Sequence, residues 1–99
     1  MLARVVKWEG GNAEAIRATA QEIQSRAATG PPEGVPAVGF TLLVDPEGGQ
    51  IIAISLFKDE DDRRAGAAVL DGMTPPGDGF GERTSVGGYE VAVDIRAEE

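Results

Sequence analysis

The sequence predicts an α+β fold in which a four-stranded antiparallel sheet carries two helices on one face. Three observations support it: four segments are rich in β-branched and apolar residues, two have apolar residues at helical spacing, and the six segments follow the order β-α-β-β-α-β. This order is the ferredoxin-like, or split β-α-β, arrangement. A chain of 99 residues has room for one domain, so we assign residues 1–99 to a single domain.

The first strand and the first helix are predicted from the opening residues. Residues 2–8 mix apolar and charged side chains and are followed by two glycines, as expected of a strand with one buried face. Asn12 is a suitable N-cap for a helix that ends before the Gly-Pro-Pro sequence of residues 30–32. The apolar stripe of this helix repeats at steps of three and four and consists of Ala13, Ile16, Ala20, Ile23 and Ala27.

A central hairpin is predicted from two apolar segments that flank a turn. Residues 38–44 alternate in polarity, and the Asp-Pro-Glu-Gly-Gly sequence of residues 45–49 consists of turn formers. Residues 51–57 are apolar on both faces of the strand, so a sheet covered by helices on one side would leave apolar area in water. We therefore expect a homodimer in which two sheets pack through the faces opposite the helices.

The second helix and the last strand complete the predicted order. Asp59 is the expected N-cap, and the inner stripe is predicted to contain Ala65, Ala68, Val69, Gly72 and Met73. Pro75 and Pro76 end this helix, and the glycine-rich residues 77–81 follow as a loop. Tyr89, Val91, Val93 and Ile95 alternate with other residues and predict a final strand over 89–96.

The composition excludes several classes of function. Nine Lys and Arg against seventeen Asp and Glu give a net charge of −8, which disfavours nucleic acid and anionic membrane surfaces as partners. The chain has no histidine and no cysteine, so imidazole bases, thiol nucleophiles and the usual zinc ligands are lacking. The carboxylates of residues 59–62 lack the spacing of a calcium loop, and we expect no metal site. No segment has the apolar length of a membrane span, and we expect a cytoplasmic protein.

Several bulky and polar side chains are candidates for a ligand site. The apolar candidates can form either a plain core or the wall of a ligand pocket gated by the loop of residues 77–81; they are Trp8, Phe40, Phe57, Met73, Phe80 and Tyr89. Arg4 is in phase with the apolar residues of its strand, so it either forms an ion pair with Glu90 or Asp94 or binds an anion. Asn12 is either a helix cap or a polar contact of the pocket.

The chain resembles, over residues 2–96, the dimeric α/β-barrel superfamily, in particular small actinobacterial proteins similar to antibiotic-biosynthesis monooxygenases. The resemblance rests on four segments: Val-Val-Lys-Trp-Glu-Gly-Gly-Asn at 5–12, Ile-Ser-Leu-Phe-Lys-Asp-Glu-Asp-Asp at 54–62, Met-Thr-Pro-Pro-Gly at 73–77, and Tyr-Glu-Val-Ala-Val at 89–93. It implies a homodimer with a cavity between helices and sheet.

Two functions follow from this resemblance as expectations. The first is a non-catalytic role, either binding of a small aromatic, polyketide-like molecule or service as an interaction module; the second is monooxygenation without a cofactor. Such monooxygenases are thought to hold the substrate anion with Asn, Trp, Tyr and Arg side chains, and residues of these types here include Asn12, Trp8, Tyr89 and Arg4. The haem-degrading members use a histidine ligand that this chain lacks, so we expect no cofactor.

Overall fold

A computed structural model of the chain describes residues 1–27, 35–71 and 81–95. Its elements follow the predicted order and are β1 (Leu2–Gly10), α1 (Ala13–Ala27), β2 (Ala37–Asp45), β3 (Gln50–Phe57), α2 (Glu60–Leu70) and β4 (Gly81–Glu90). The four strands form one antiparallel sheet in the order β2-β3-β1-β4, which confirms the predicted fold class. Among the described residues, neither helix has the length and apolar character needed to cross a membrane.

Local capping signals set the beginning of both helices, as the sequence predicts. In α1 the backbone N–H of Ala15 donates to Oδ1 of Asn12 at 2.8 Å. In α2 the N–H of Asp62 donates to Oδ1 of Asp59 at 2.9 Å. Each bond satisfies one of the N–H groups that a first helical turn leaves without a partner.

The turn between β2 and β3 depends on its glycines. Gly48 donates its N–H to Oδ1 of Asp45 at 3.0 Å, and Gly49 adopts a φ of 71°. The carbonyl of Gly49 accepts from the N–H of Gly11 at 3.1 Å, so the turn lies against the end of β1. A Cβ atom on Gly49 would be only 2.7 Å from the Gly11 carbonyl oxygen. Both the φ value and the close approach therefore require glycine at position 49.

The inner face of α2 differs from the predicted stripe. Ala65 and Ala68 are exposed, whereas Gly66 is buried against the ring of Phe57. Val69 is half-buried, and the other two predicted stripe residues, at positions 72 and 73, lie outside the described residues. The predicted inner face of α2 was wrong because the helix packs Gly66, rather than Ala65 and Ala68, against the ring of Phe57.

The last strand also differs from the prediction. β4 spans residues 81–90 instead of 89–96, because it pairs with β1 along its whole length, from Leu2 opposite Glu90 to Gly10 opposite Gly81. The N–H of Val91 donates to the carbonyl of Met1 at 3.0 Å. The following apolar side chains are exposed, at 72% for Val93 and 85% for Ile95. Of the predicted loop, residue 81 begins β4 and residues 77–80 lie outside the described residues.

The register assigns the side chains to two faces of the sheet. Cross-strand partners share a face, and one face carries the largest fully buried strand side chains, Val6, Ile51 and Phe57, beneath the helices. Ile16 of α1 is fully buried as well. The opposite face carries apolar side chains that are half-buried or exposed: Val5, Leu43, Ile52, Ile54 and Tyr89. The predicted two-sided apolar character of β3 is therefore present in the structure.

Candidate functional site: an apolar groove and an arginine pair

An open groove lies between the second half of α1 and the outer strand β2. Its volume is about 290 Å³, and its lining residues are Ala20, Ile23, Gln24, Phe40, Leu42 and Val44. The strand contributes every second residue, so three consecutive side chains of one face point toward the helix. β2 is an edge of the sheet, and the Phe40 residue is 46% exposed to solvent.

The lining of the groove is almost entirely apolar. Five of its six lining side chains are apolar, and the amide of Gln24 is the one polar group among them. None of the lining side chains titrates, so the groove itself supplies no acid or base. Its volume is close to the lower end of the range of about 300 to 1,000 Å³ that small-molecule pockets occupy.

The structure does not bring the predicted apolar wall together around one cavity. Phe40 lines the groove, whereas Phe57 is fully buried in the core against Gly66. Trp8 is half-buried on the helix-covered face of β1, two strands away from β2. Tyr89 is 60% exposed and lies on the opposite face, opposite Ala3. The remaining two predicted residues, at positions 73 and 80, lie outside the described residues.

Arg4 is buried on the helix-covered face, as its phase in the strand predicts, but its partner differs from the prediction. Its Nη2 atom donates to Oδ1 of Asp71 at 2.6 Å, and only 8% of its side chain is exposed. The partners predicted from the sequence are Glu90 or Asp94 on the last strand. With β4 shifted to residues 81–90, Gly88 is the residue opposite Arg4, and the carboxylate comes from the C-cap of α2 instead.

A second arginine reaches the same carboxylate. Nη1 of Arg83, in β4, lies 3.7 Å from Oδ1 of Asp71. Arg83 is not among the predicted site residues, because position 83 precedes the strand predicted for residues 89–96. Asp71 is therefore shared by two guanidinium groups on neighbouring strands.

The other candidate polar groups have structural partners. The side-chain oxygen of Asn12 caps α1, and Asn12 is exposed to solvent. On the surface of α2, the hydrogen bond from Arg63 lowers the pKa of the Glu60 carboxyl, and the Glu60 carboxylate raises the pKa of Arg63. Neither Glu60 nor Arg63 lines the groove.

The donor set does not fit the haem of the haem-degrading branch. The resemblance implies a histidine ligand for that group, and the chain contains no histidine. Within residues 1–27, 35–71 and 81–95, no group of three or more Asp, Glu, His or Cys side chains is arranged to hold a metal ion. We therefore derive no chemistry for this chain through haem or a metal.

Comparison with known proteins gives a match at the level of the fold. No family model matches the sequence, and no curated protein does. A solved structure with the same fold is the crystal structure of an arginine-to-serine mutant of MhuD with two manganese protoporphyrin IX molecules bound per active site. The match covers 98% of this chain and 100% of that chain, with a TM-score of 0.65 and 17% sequence identity. At this level of identity the likeness shows that the two chains share a fold.

Proposed function

We propose that this protein binds a small aromatic, polyketide-like molecule in the groove between α1 and β2. The observation that carries the proposal is the groove itself: an aromatic ring, Phe40, is left 46% exposed among aliphatic side chains on the helix-covered face. A ligand that covers this ring removes apolar area from water and offers the ring an aromatic partner. The volume of about 290 Å³ suits a compound of roughly two or three fused rings.

The MhuD structure supports a planar ligand and leaves its identity open. In that protein a fold of this type holds a flat macrocycle. The present chain lacks histidine, so our proposal involves neither haem nor another cofactor. Binding without catalysis is the first candidate because no titratable side chain lines the groove.

Thermal denaturation with the three-ring compound anthrone tests this proposal. We expect anthrone to raise the Tm of the wild-type protein, and we expect Phe40→Ala to remove most of that rise. Val86→Ala is the matched control, because Val86 is 48% exposed on the same face of the sheet but lies on β4, at the edge away from the groove. Absence of a Tm rise in the wild type, or equal losses in both variants, would refute binding in the groove.

The second candidate is a monooxygenase that works without a cofactor. The fold match to MhuD, whose structure has a ligand-bound active site, is the observation that favours it. Anthrone can react with O₂ to give anthraquinone and water: one oxygen atom enters the ring carbon, and the other leaves as water with the two hydrogens of that carbon. An oxygen electrode distinguishes the candidates, because only the enzyme accelerates O₂ uptake in the presence of anthrone.

We further propose that the protein is a homodimer joined through the sheet face opposite the helices. The apolar side chains of that face, among them Ile54 of β3, support this arrangement, since a monomer would leave them in contact with water. Ile54→Asp would place a charge in the interface, and Ala68→Asp, on the exposed side of α2, is the control. Light scattering at micromolar concentration is expected to give a dimer for wild type and Ala68→Asp and a monomer for Ile54→Asp. A folded wild-type monomer would refute the proposal.

A further inference from the structure

A β-bulge determines which way Arg83 points. Lys7 is opposite Ser85 in the β1–β4 ladder, and the next residue, Trp8, is opposite Arg83, so Thr84 is the extra residue. The Thr84 hydroxyl donates to the carbonyl of Lys7 at 3.3 Å. With an uninterrupted ladder Arg83 would be opposite Glu9 and would point away from the helices. The bulge instead places Arg83 beside Trp8 on the helix-covered face, and bulges commonly redirect side chains at binding sites.

The guanidinium of Arg83 has N–H groups that donate to no acceptor among the described residues. Its contact with Asp71 is 3.7 Å long, and among the described residues the Arg83 side chain donates no hydrogen bond. The Asp71 oxygen nearest to it is already bonded to Arg4 at 2.6 Å. The side chain of Arg83 is 43% exposed, so its planar fork of N–H groups is accessible to a solute.

The local charge favours an anion with a single negative charge. Two guanidinium groups and one carboxylate leave an excess of one positive charge at this position, in a chain whose net charge is −8. The nearby Arg63 is engaged elsewhere, because its guanidinium donates hydrogen bonds to Glu60. A dianion such as phosphate would be repelled by Asp71 more strongly than a carboxylate would.

We propose that Trp8, Arg83, Arg4 and Asp71 form a binding site for an aromatic carboxylate. The carboxylate of the ligand accepts hydrogen bonds from the Arg83 fork, and its ring lies against Trp8. Asp71, which is hydrogen-bonded to Arg4, attracts the Arg83 guanidinium on the helix-covered face. This site is separate from the groove, because Trp8 and Val44 lie on strands two positions apart, roughly 10 Å at the usual strand spacing.

Titration with 2-naphthoate tests the proposal, because Trp8 is the only tryptophan and its fluorescence reports binding at this site. We expect 2-naphthoate to quench this fluorescence and to bind at least about tenfold more tightly than the neutral 2-naphthalenemethanol. Arg83→Gln is expected to weaken 2-naphthoate about tenfold or more in calorimetry, and Arg83→Lys to retain part of the affinity. Arg64→Gln is the control, because Arg64 is exposed on α2 and pairs with Glu60.

Three results would overturn this assignment. One is equal affinity for the acid and the alcohol, and another is unchanged 2-naphthoate binding in Arg83→Gln. The third is displacement of 2-naphthoate by an equimolar amount of inorganic phosphate, which would indicate a general anion site. The anthrone experiment at Phe40 uses another probe and another variant, so each proposal can fail without the other.

Discussion

Replacing Gly66 by alanine measures how closely α2 lies against the sheet. On an exposed helix surface this change stabilises a protein by about 1 kcal/mol, because glycine loses more backbone entropy on folding. Here a Cβ atom on residue 66 would lie 2.4 Å from Cε1 and 2.7 Å from Cζ of Phe57. Carbon atoms pack at roughly 3.5 to 4.0 Å, so the helix or the ring must move by about 1 Å.

The ring of Phe57 is fully buried, so it cannot move without displacing the core side chains packed around it. Overpacking of this kind costs about 1 to 3 kcal/mol, which outweighs the gain in helix propensity. We therefore expect Gly66→Ala to lower the free energy of unfolding by about 1 kcal/mol, with a range of roughly 0 to 2. Urea denaturation, with unchanged m-values, measures this difference.

The same substitution in a Phe57→Leu variant tests whether the Phe57 ring causes the loss of stability. Phe57→Leu removes the ring atoms that the new methyl group would meet, so Gly66→Ala in that background is expected to be neutral or stabilising. Ala68→Gly, on the exposed side of α2, is expected to cost about 1 kcal/mol from helix propensity alone. If Gly66→Ala stabilised the wild-type protein by about 1 kcal/mol, the inferred packing of α2 against Phe57 would be wrong.

Three further predictions concern the ion pairs and the caps. Asp71→Asn is expected to lower the free energy of unfolding by about 1 to 3 kcal/mol, since it leaves the Arg4 guanidinium buried without a carboxylate. Urea denaturation of Asp71→Asn, of Arg4→Gln and of the double variant should show that the effects of the two substitutions are not additive. Asn12→Ala is expected to cost about 1 kcal/mol in the same assay, and a change within error would mean that its hydrogen bond to α1 contributes nothing. Because Arg63 lowers the pKa of the Glu60 carboxyl from its ordinary value of 4.5, the stabilisation by Glu60 is present above pH 4.5 and is lost as the pH falls through the lower folded-state pKa. As the pH is lowered below 4.5, the Tm of Glu60→Gln should therefore fall less than the Tm of the wild type. The same Tm–pH curve for both proteins would contradict this assignment.

The elements that the sequence predicts well are those with local signals. Asn12 and Asp59 each accept the hydrogen bond expected of an N-cap. The turn residues 45–49 join β2 and β3, which cover the predicted strands with small differences at their ends. These features depend on neighbours within a few residues, so they are visible without knowledge of the fold.

The features that were wrong or missed depend on distant parts of the chain. β4 has the sequence Gly-Glu-Arg-Thr-Ser-Val-Gly-Gly-Tyr-Glu, whose polar character gives no strand pattern, and it is fixed by pairing with β1. The phase of α2 is ambiguous because its alanines occur at several spacings, and the decisive contact, Gly66 on Phe57, involves a residue without a side chain. Arg83 reaches the helix-covered face through a bulge, which shifts the alternation of side chains without a recognisable sequence signal.

The location of the ligand is tested most directly by a crystal structure of the protein soaked with anthrone under argon. We expect electron density for the three rings in the groove between α1 and β2, with one ring against Phe40 and Ala20. Density for anthrone at another position, or a groove filled by the protein's own side chains, would contradict our assignment of the groove as the binding site.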